Sequence, residues 1–280
     1  MNKTSICIVI PINKESLNEF EIQSVKQCIK VLVDYTIYFV CPEDLDLSFY
    51  KEKFKEINSF VFFDKNYFKD LNGYNKLMLN DLFYKSFSSN EYMIIYQTDC
   101  FVFRDELVFW AEKNFDYIGG LWFEEFIKNP EEGANLWYPG NGGLSLRKIK
   151  TMIDLLSSKK PLKNWRQLIS EKRNINSGYF FKDIKGILEL LLNIFGYKNN
   201  SSYCAKLWEG NEDVFFSNMY LMYKLLKVPS VDESLFFSWD RRPDYLFNKY
   251  KQLPFACHAW FREDYPYAGN NSFWSKIIQK

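Results

Sequence analysis

Four groups of residues carry types and spacings that chemistry uses. The run Ile94-Ile95-Tyr96-Gln97-Thr98-Asp99-Cys100-Phe101-Val102-Phe103 sets one carboxylate between two apolar stretches. A stretch rich in Ile, Tyr and Phe reads as a buried strand. That puts Asp99 at the strand's carboxyl end, the edge where open α/β sheets bind ligands. A charge in so apolar a run needs a partner, because an unpaired buried charge is expensive. A metal ion, a backbone N–H or a basic side chain would each serve, and capping the next turn is the plainer role. The second group is Gly140-Asn141-Gly142-Gly143. Three glycines in four positions let a backbone approach a ligand closely, or simply make a tight turn.

The third group, Asn211-Glu212-Asp213-Val214-Phe215-Phe216, places two carboxylates before an apolar helix. N-capping and a favourable first-turn charge explain such a pair; a carboxylate facing a cleft would instead be a general base. The fourth is His258, the single histidine, between Cys257 and Ala259. It reads either as a satisfied core residue or as a metal ligand or phosphate contact. One histidine excludes a three-His site. A metal here would draw on carboxylate and substrate oxygens, which suits Mg²⁺ or Mn²⁺ held partly by a diphosphate.

The elements that must position these groups follow from periodicity. Strand patterns at Ser5–Ile12, Thr36–Cys41, Phe60–Phe63 and Glu91–Gln97 alternate with helical spacings at Glu19–Val33, Ser48–Ile57 (Ser48 as N-cap) and Tyr74–Phe87. This βαβαβαβ rhythm predicts an α/β fold with a mostly parallel sheet flanked by helices. The second half is less regular. It predicts a short helix at Asp105–Lys113, a strand at Tyr117–Gly120, a loop at Asn129–Asn135, the Gly-rich loop leading into Leu144–Arg147, and helices at Ile149–Leu156 and Asn211–Leu226. Ser157–Tyr203, rich in Lys, Asn and Ser, reads as a variable helical segment around the apolar helix Ile184–Phe195. The chain thus reads as one domain with a regular first half, 1–103, and a less regular second half, 104–280.

Composition excludes several classes. Lys and Arg number 36 against 35 Asp and Glu, a balance that does not suggest a polyanion binder such as a DNA-binding domain but leaves room for local basic patches. Aromatic residues make up 19% of the chain, and they either fill the core or line a carbohydrate or nucleotide cleft. Six cysteines without a C-x-x-C pair read as reduced thiols of a cytosolic protein. The apolar run Ile6–Ile12 is too short for a signal peptide or a membrane span. A soluble protein able to touch a membrane surface is the expectation. The P-loop and the dinucleotide G-x-G-x-x-G are missing, which argues against an ATPase or a dehydrogenase.

The order of the four groups, a strand-end Asp, a Gly-rich segment, a carboxylate pair opening a helix and a late His, resembles that of the GT-A glycosyltransferases. The chain is most similar to the bacterial DUF5672 family. Five motifs carry the resemblance: Tyr74 to Met78, Tyr96 to Phe103, Gly140 to Arg147, Asn211 to Ser217 and Leu253 to Trp260.

That resemblance implies transfer of a sugar from a nucleotide-sugar to a hydroxyl of a glycan or lipid-linked acceptor, in bacterial surface polysaccharide synthesis, at the cytoplasmic face of the membrane. Gln97-Thr98-Asp99 takes the place of the family's D-x-D, with the weaker ligand Gln97 at its first acidic position. The resemblance puts a divalent metal, Mn²⁺ or Mg²⁺, at Asp99 and His258. It puts Pro11, Asn75, Lys76, Asn141, Gly142, Gly143 and Arg147 beside the donor, Lys76 or Arg147 being a cation for the leaving diphosphate. Asp213, with Glu212 beside it, matches the catalytic base of inverting members; retention is the other outcome this fold supports. The competing readings are a sugar-1-phosphate nucleotidyltransferase, though Pro11 to Ser16 has no glycine for its phosphate loop, and a non-catalytic nucleotide-sugar binder.

Overall fold

The structure is a computed structural model that describes residues 1–124, 131, 133–175, 184–262 and 273–278, with 172–175 and 184 described by backbone alone. Strands β1 (Ile6–Pro11), β2 (Thr36–Pro42), β3 (Ser59–Phe63), β4 (Tyr92–Tyr96), β6 (Tyr117–Phe123) and β7 (Leu136–Lys148) form a sheet in the order β3-β2-β1-β4-β7-β6. The first four are mutually parallel, and β7 runs antiparallel to both β4 and β6. Strands β5 (Phe101–Val102), β8 (Ser238–Trp239) and β9 (Ala256–Cys257) make a second, small sheet.

Helices α1 (Glu19–Val31), α2 (Ser48–Lys53), α3 (Leu71–Met78) and α4 (Asp81–Lys85) connect the parallel strands, and α5 (Leu107–Glu112) follows β5. After β7 come α6 (Ile149–Ser157), α7 (Trp165–Ile175), α8 (Ile184–Ile194), α9 (Ser201–Leu207), α10 (Glu212–Leu221), α11 (Val231–Ser234), α12 (Pro243–Tyr250) and α13 (Phe273–Ile278).

The two-residue period of a strand divides its side chains between two layers. Ile6, Ile8 and Ile10 of β1 join Val25 and Cys28 of α1, Leu32 just after it, and Trp110 of α5 in one core. Cys7 and Val9 face the other, with Leu77 and Met78 of α3, Met152 of α6 and Phe215 and Phe216 of α10. β4 splits the same way, Ile94 to the first core and Ile95 to the second. Both faces being covered, these strands read as near-continuous apolar runs. A third core gathers Trp239, Trp260 and Trp274 around the small sheet. All six cysteines are free thiols, five of them buried.

Several boundaries depart from the sequence pattern for local reasons. The expected helix Tyr74–Phe87 is two helices. α3 starts earlier because the Asp70 side chain accepts from the Gly73 N–H, and Asn80 opens α4 by accepting from the Leu82 N–H. Ser48 is not an N-cap: Leu47 holds that position, and the Ser48 backbone and hydroxyl both donate to Asp46 Oδ1, at 2.9 and 2.7 Å. The expected Gly-rich loop is strand instead, the middle of the 13-residue β7. Its pairing with β6 is irregular between Gly119 and Gly120, where Gly120 faces Asn141. Part of the expected loop at Asn129–Asn135, and the segment 176–183 within the variable region, lie outside the described residues.

Candidate active site

The chain leaves β1 for β2 and β3 on one side, then returns to place β4 on the other. The carboxyl ends of β1 and β4 therefore diverge at a topological switch point, where α/β sheets open a crevice. A cleft of about 530 Å³ lies there. Pro11 to Lys14 from the end of β1, Gln97 to Asp99 from the end of β4, Tyr67, Asp70 and Tyr74 around α3, and Arg262 line it. Glu21 ties two of these walls together: it accepts from Lys14 Nζ at 2.8 Å and from Thr98 Oγ1 at 3.0 Å, while forming a capping box with Asn18.

Next to the cleft, β7 gathers the remaining groups. The Gly142 N–H donates to Asp213 Oδ2 at 3.2 Å, and the Gly143 N–H donates to Asn141 Oδ1 at 2.9 Å. Asn141 Nδ2 donates to Asp240 Oδ2 at 3.0 Å, and Asp240 Oδ1 lies 3.1 Å from His258 Nδ1. His258 Nε2 then lies 3.1 Å from Gln97 Oε1 and 3.4 Å from Asp99 Oδ1. One chain of contacts thus connects Asp213, the glycine pair, His258 and Asp99. Adjacency explains the two glycines. A Cβ on Gly142 would strike the Glu212 carboxylate, and one on Gly143 would strike the His258 ring. Asp213, through the Gly142 N–H, and His258, packed on Gly143, thus meet neighbouring residues whose Cα atoms lie about 3.8 Å apart.

Burial and neighbouring charges set the titration of both. Burial works against a charged imidazole, but Asp99 and Asp240 outweigh it and raise His258 to about 9. Burial and the Glu212 carboxylate push Asp213 up to about 7, against the opposing pull of the Gly142 and Val214 N–H groups and of Arg147. Asp213 keeps partial exposure, whereas Glu212 is buried.

Among the described residues, no three His, Cys, Asp or Glu side chains gather as a metal site. The cleft offers a mixed set instead. Asp99 Oδ1 is buried without a hydrogen-bond donor, and it converges with the Gln97 amide oxygen on His258 Nε2. One carboxylate, one imidazole and one amide oxygen fit part of a hard cation's shell, with the rest left for diphosphate oxygens.

The structure treats the expected site residues differently. Pro11, Gln97 and Asp99 line the cleft. Asn141, Gly142, Gly143, Asp213 and His258 form the network beside it without lining it. Asn75 is buried and holds the start of α10, its Oδ1 accepting from the Glu212 N–H at 3.1 Å. Lys76 is exposed and does not line the cleft. Arg147 is wholly buried: Nη2 meets Glu212 Oε1 at 2.6 Å and Nη1 donates to the Tyr84 hydroxyl at 2.8 Å. Its charge is thus engaged inside the protein, and Glu212 is engaged with it, which separates both from a ligand in the cleft. Asp240 was missed by sequence reasoning, although Phe236-Phe237-Ser238-Trp239-Asp240 carries the same signal as Asp99, a carboxylate directly after an apolar strand.

A family model described as protein of unknown function (DUF5672) matches residues 58–258. No curated protein matches the chain. Among solved structures, an active-site mutant of LgtC shares 12% identity at a TM-score of 0.50, over 97% of this chain and 93% of that one. The galactosyltransferase LgtC with donor and acceptor sugar analogues gives 12% identity and a TM-score of 0.48, over 97% and 95%. Mouse Xyloside xylosyltransferase 1 in its apo form gives 11% and 0.46, over 93% and 99%. The first of these likenesses shows a shared fold.

Proposed function

The chain belongs to the DUF5672 family, and from its site we propose that it is a glycosyltransferase, moving a sugar from a nucleotide-sugar to an acceptor hydroxyl. The carrying observation is the junction on β7. A carboxylate raised to about 7 and a His–Asp–Gln cluster rest on adjacent glycines beside a cleft at the switch point. The nucleotide-sugar occupies the cleft, with its diphosphate toward Gln97 and Asp99. Asp99, His258 and Gln97 would hold a divalent cation, which when bound offsets the charge gained by the departing diphosphate. Arg262, with Nη1 3.8 Å from Asp99 Oδ2, and Lys14 add positive charge to the same wall.

Asp213 takes the acceptor hydroxyl's proton. The Gly142 and Val214 N–H groups fix its two oxygens, at 3.2 and 2.8 Å, and each oxygen keeps a second lone pair. A base with a pKa near the working pH is the most effective. Glu212, locked to Arg147, positions Asp213 and raises its pKa rather than sharing the chemistry. Direct attack assisted by one base gives inversion at the anomeric carbon. The motif resemblance supports a glycan or lipid-linked acceptor of bacterial surface polysaccharide synthesis, made at the cytoplasmic face of the membrane.

A thermal-shift screen of UDP-, GDP-, CDP- and dTDP-sugars, with and without Mn²⁺, tests this reading, because a ligand selective for the native state raises its melting point. One nucleotide series should stabilise the protein, and more so with the metal. The NMR anomeric coupling of the product should show inversion. No stabilisation by any nucleotide-sugar contradicts the function, and retained configuration contradicts the role of Asp213.

A further inference from the structure

We propose that the surface formed by α7 and α8 docks the protein on an anionic lipid membrane. α8 turns Leu190 inward and half-buries Ile187 and Ile194. Its outer side carries a second apolar stripe. Leu188, Leu191, Leu192 and, just past the helix, Phe195 are 54%, 48%, 51% and 82% exposed. Their spacing, i, i+3, i+4 and i+7, puts all four on one helical face. Trp165 on α7 and Tyr197 after α8 add exposed aromatic rings at 52% and 60%, the residue types that sit at a membrane–water boundary. A contiguous apolar face of this kind marks an interaction site.

Charge identifies the occupant. Over 157–175 and 184–207, nine Lys and Arg accompany two Glu, a surplus of seven in a chain whose net charge is +1. Both glutamates are already paired, Glu171 with Lys163 at 2.8 Å and Glu189 with Lys198 at 2.9 Å. Lys160, Arg166 and Lys206 are exposed. A second copy of this chain would bring the same positive surplus against it, whereas a sheet of anionic headgroups over an apolar interior complements both features. The 11 residues of α8 extend about 16 Å, roughly half a bilayer's apolar core, and no described helix is long and apolar enough to cross a membrane. The helix therefore lies on the surface.

The test is co-sedimentation of the intact protein with vesicles of phosphatidylcholine alone, or with about one third phosphatidylglycerol, at low and high salt. Binding to the anionic vesicles should be about tenfold or more stronger, and salt should weaken it. Leu188→Glu with Leu192→Glu should reduce it by about tenfold or more, and Lys160→Glu with Arg166→Glu should remove the anionic preference. All four positions are exposed, so an unchanged melting point verifies the fold of both variants. Equal or absent binding to the two vesicle types overturns the proposal, as does a dimer in solution that the leucine variant dissociates. No sugar enters the experiment, so its failure leaves the glycosyltransferase reading to the donor screen.

Discussion

Asp213 illustrates how one environment sets one residue's role. Its neighbour Glu212 is a second carboxylate of the same motif, but Arg147 neutralises it in the interior at 2.6 Å. Asp213 has no cation of its own: burial and the repulsion of Glu212 outweigh two backbone N–H groups and the more distant pull of Arg147, so its carboxyl is raised to about 7. A raised carboxyl pKa favours the fold in its protonated form. That contribution is full below the unfolded value of about 3.9 and is lost as pH rises through about 7. Two consequences share this pH window. Turnover should rise with pH through an apparent pKa near 7. The stability difference between Asp213→Asn and the parent should move in favour of the variant over the same range, as read by urea melts at a series of pH values. A flat difference across that window would show that Asp213 is not the titrating group. The chemistry-bearing types Asp99 and His258 were legible because each interrupts an apolar run, and Asp213 because it opens an apolar helix. The burial of Arg147 was not, because a charged side chain in a strand reads as exposed until its buried partner is known, and Glu212 lies 65 residues away.

At the scale of elements, the parallel strands were readable because both faces of β1 and β4 are covered and the apolar runs are continuous. β7 was not. Gly and Asn have poor strand propensity, and Gly140-Asn141-Gly142-Gly143 therefore looks like a turn. The glycines are there because other chain segments come too close. Trp122 and Tyr138 crowd Gly140, Glu212 crowds Gly142 and His258 crowds Gly143. Tertiary contact overrides local preference at the very strand that joins the site's parts. Gly143→Ala should then act chiefly through His258. The imidazole is buried and held by Asp240 and Gln97, so it has little room to withdraw. The variant should lose about 1–3 kcal/mol of stability from overpacking and should bind Mn²⁺ more weakly by calorimetry. Intact metal affinity in a destabilised Gly143→Ala would separate the strand's packing from the site.

At the scale of the whole molecule, the fold puts four distant stretches of chain around one sheet edge. β4 supplies Gln97 and Asp99, β7 the glycines, α10 Asp213, and the end of β9 His258. The small sheet β5-β9-β8, absent from the sequence reading, does the last of these. It seats His258 after β9 and Asp240 after β8, so that the two meet at 3.1 Å. Strands of two residues leave no periodicity to detect. The central claim is that Asp99 and Asp213 serve one reaction in different capacities, donor holding and proton removal. Calorimetric titration of the nucleotide-sugar in Mn²⁺, alongside single-turnover rates, on Asp99→Asn and Asp213→Asn tests it most directly. The account predicts that Asp99→Asn weakens donor binding about tenfold or more, while Asp213→Asn binds the donor within about twofold of the parent and loses about 10²-fold or more in rate. Donor affinity falling together with rate in Asp213→Asn, or unchanged donor affinity in Asp99→Asn, would contradict it.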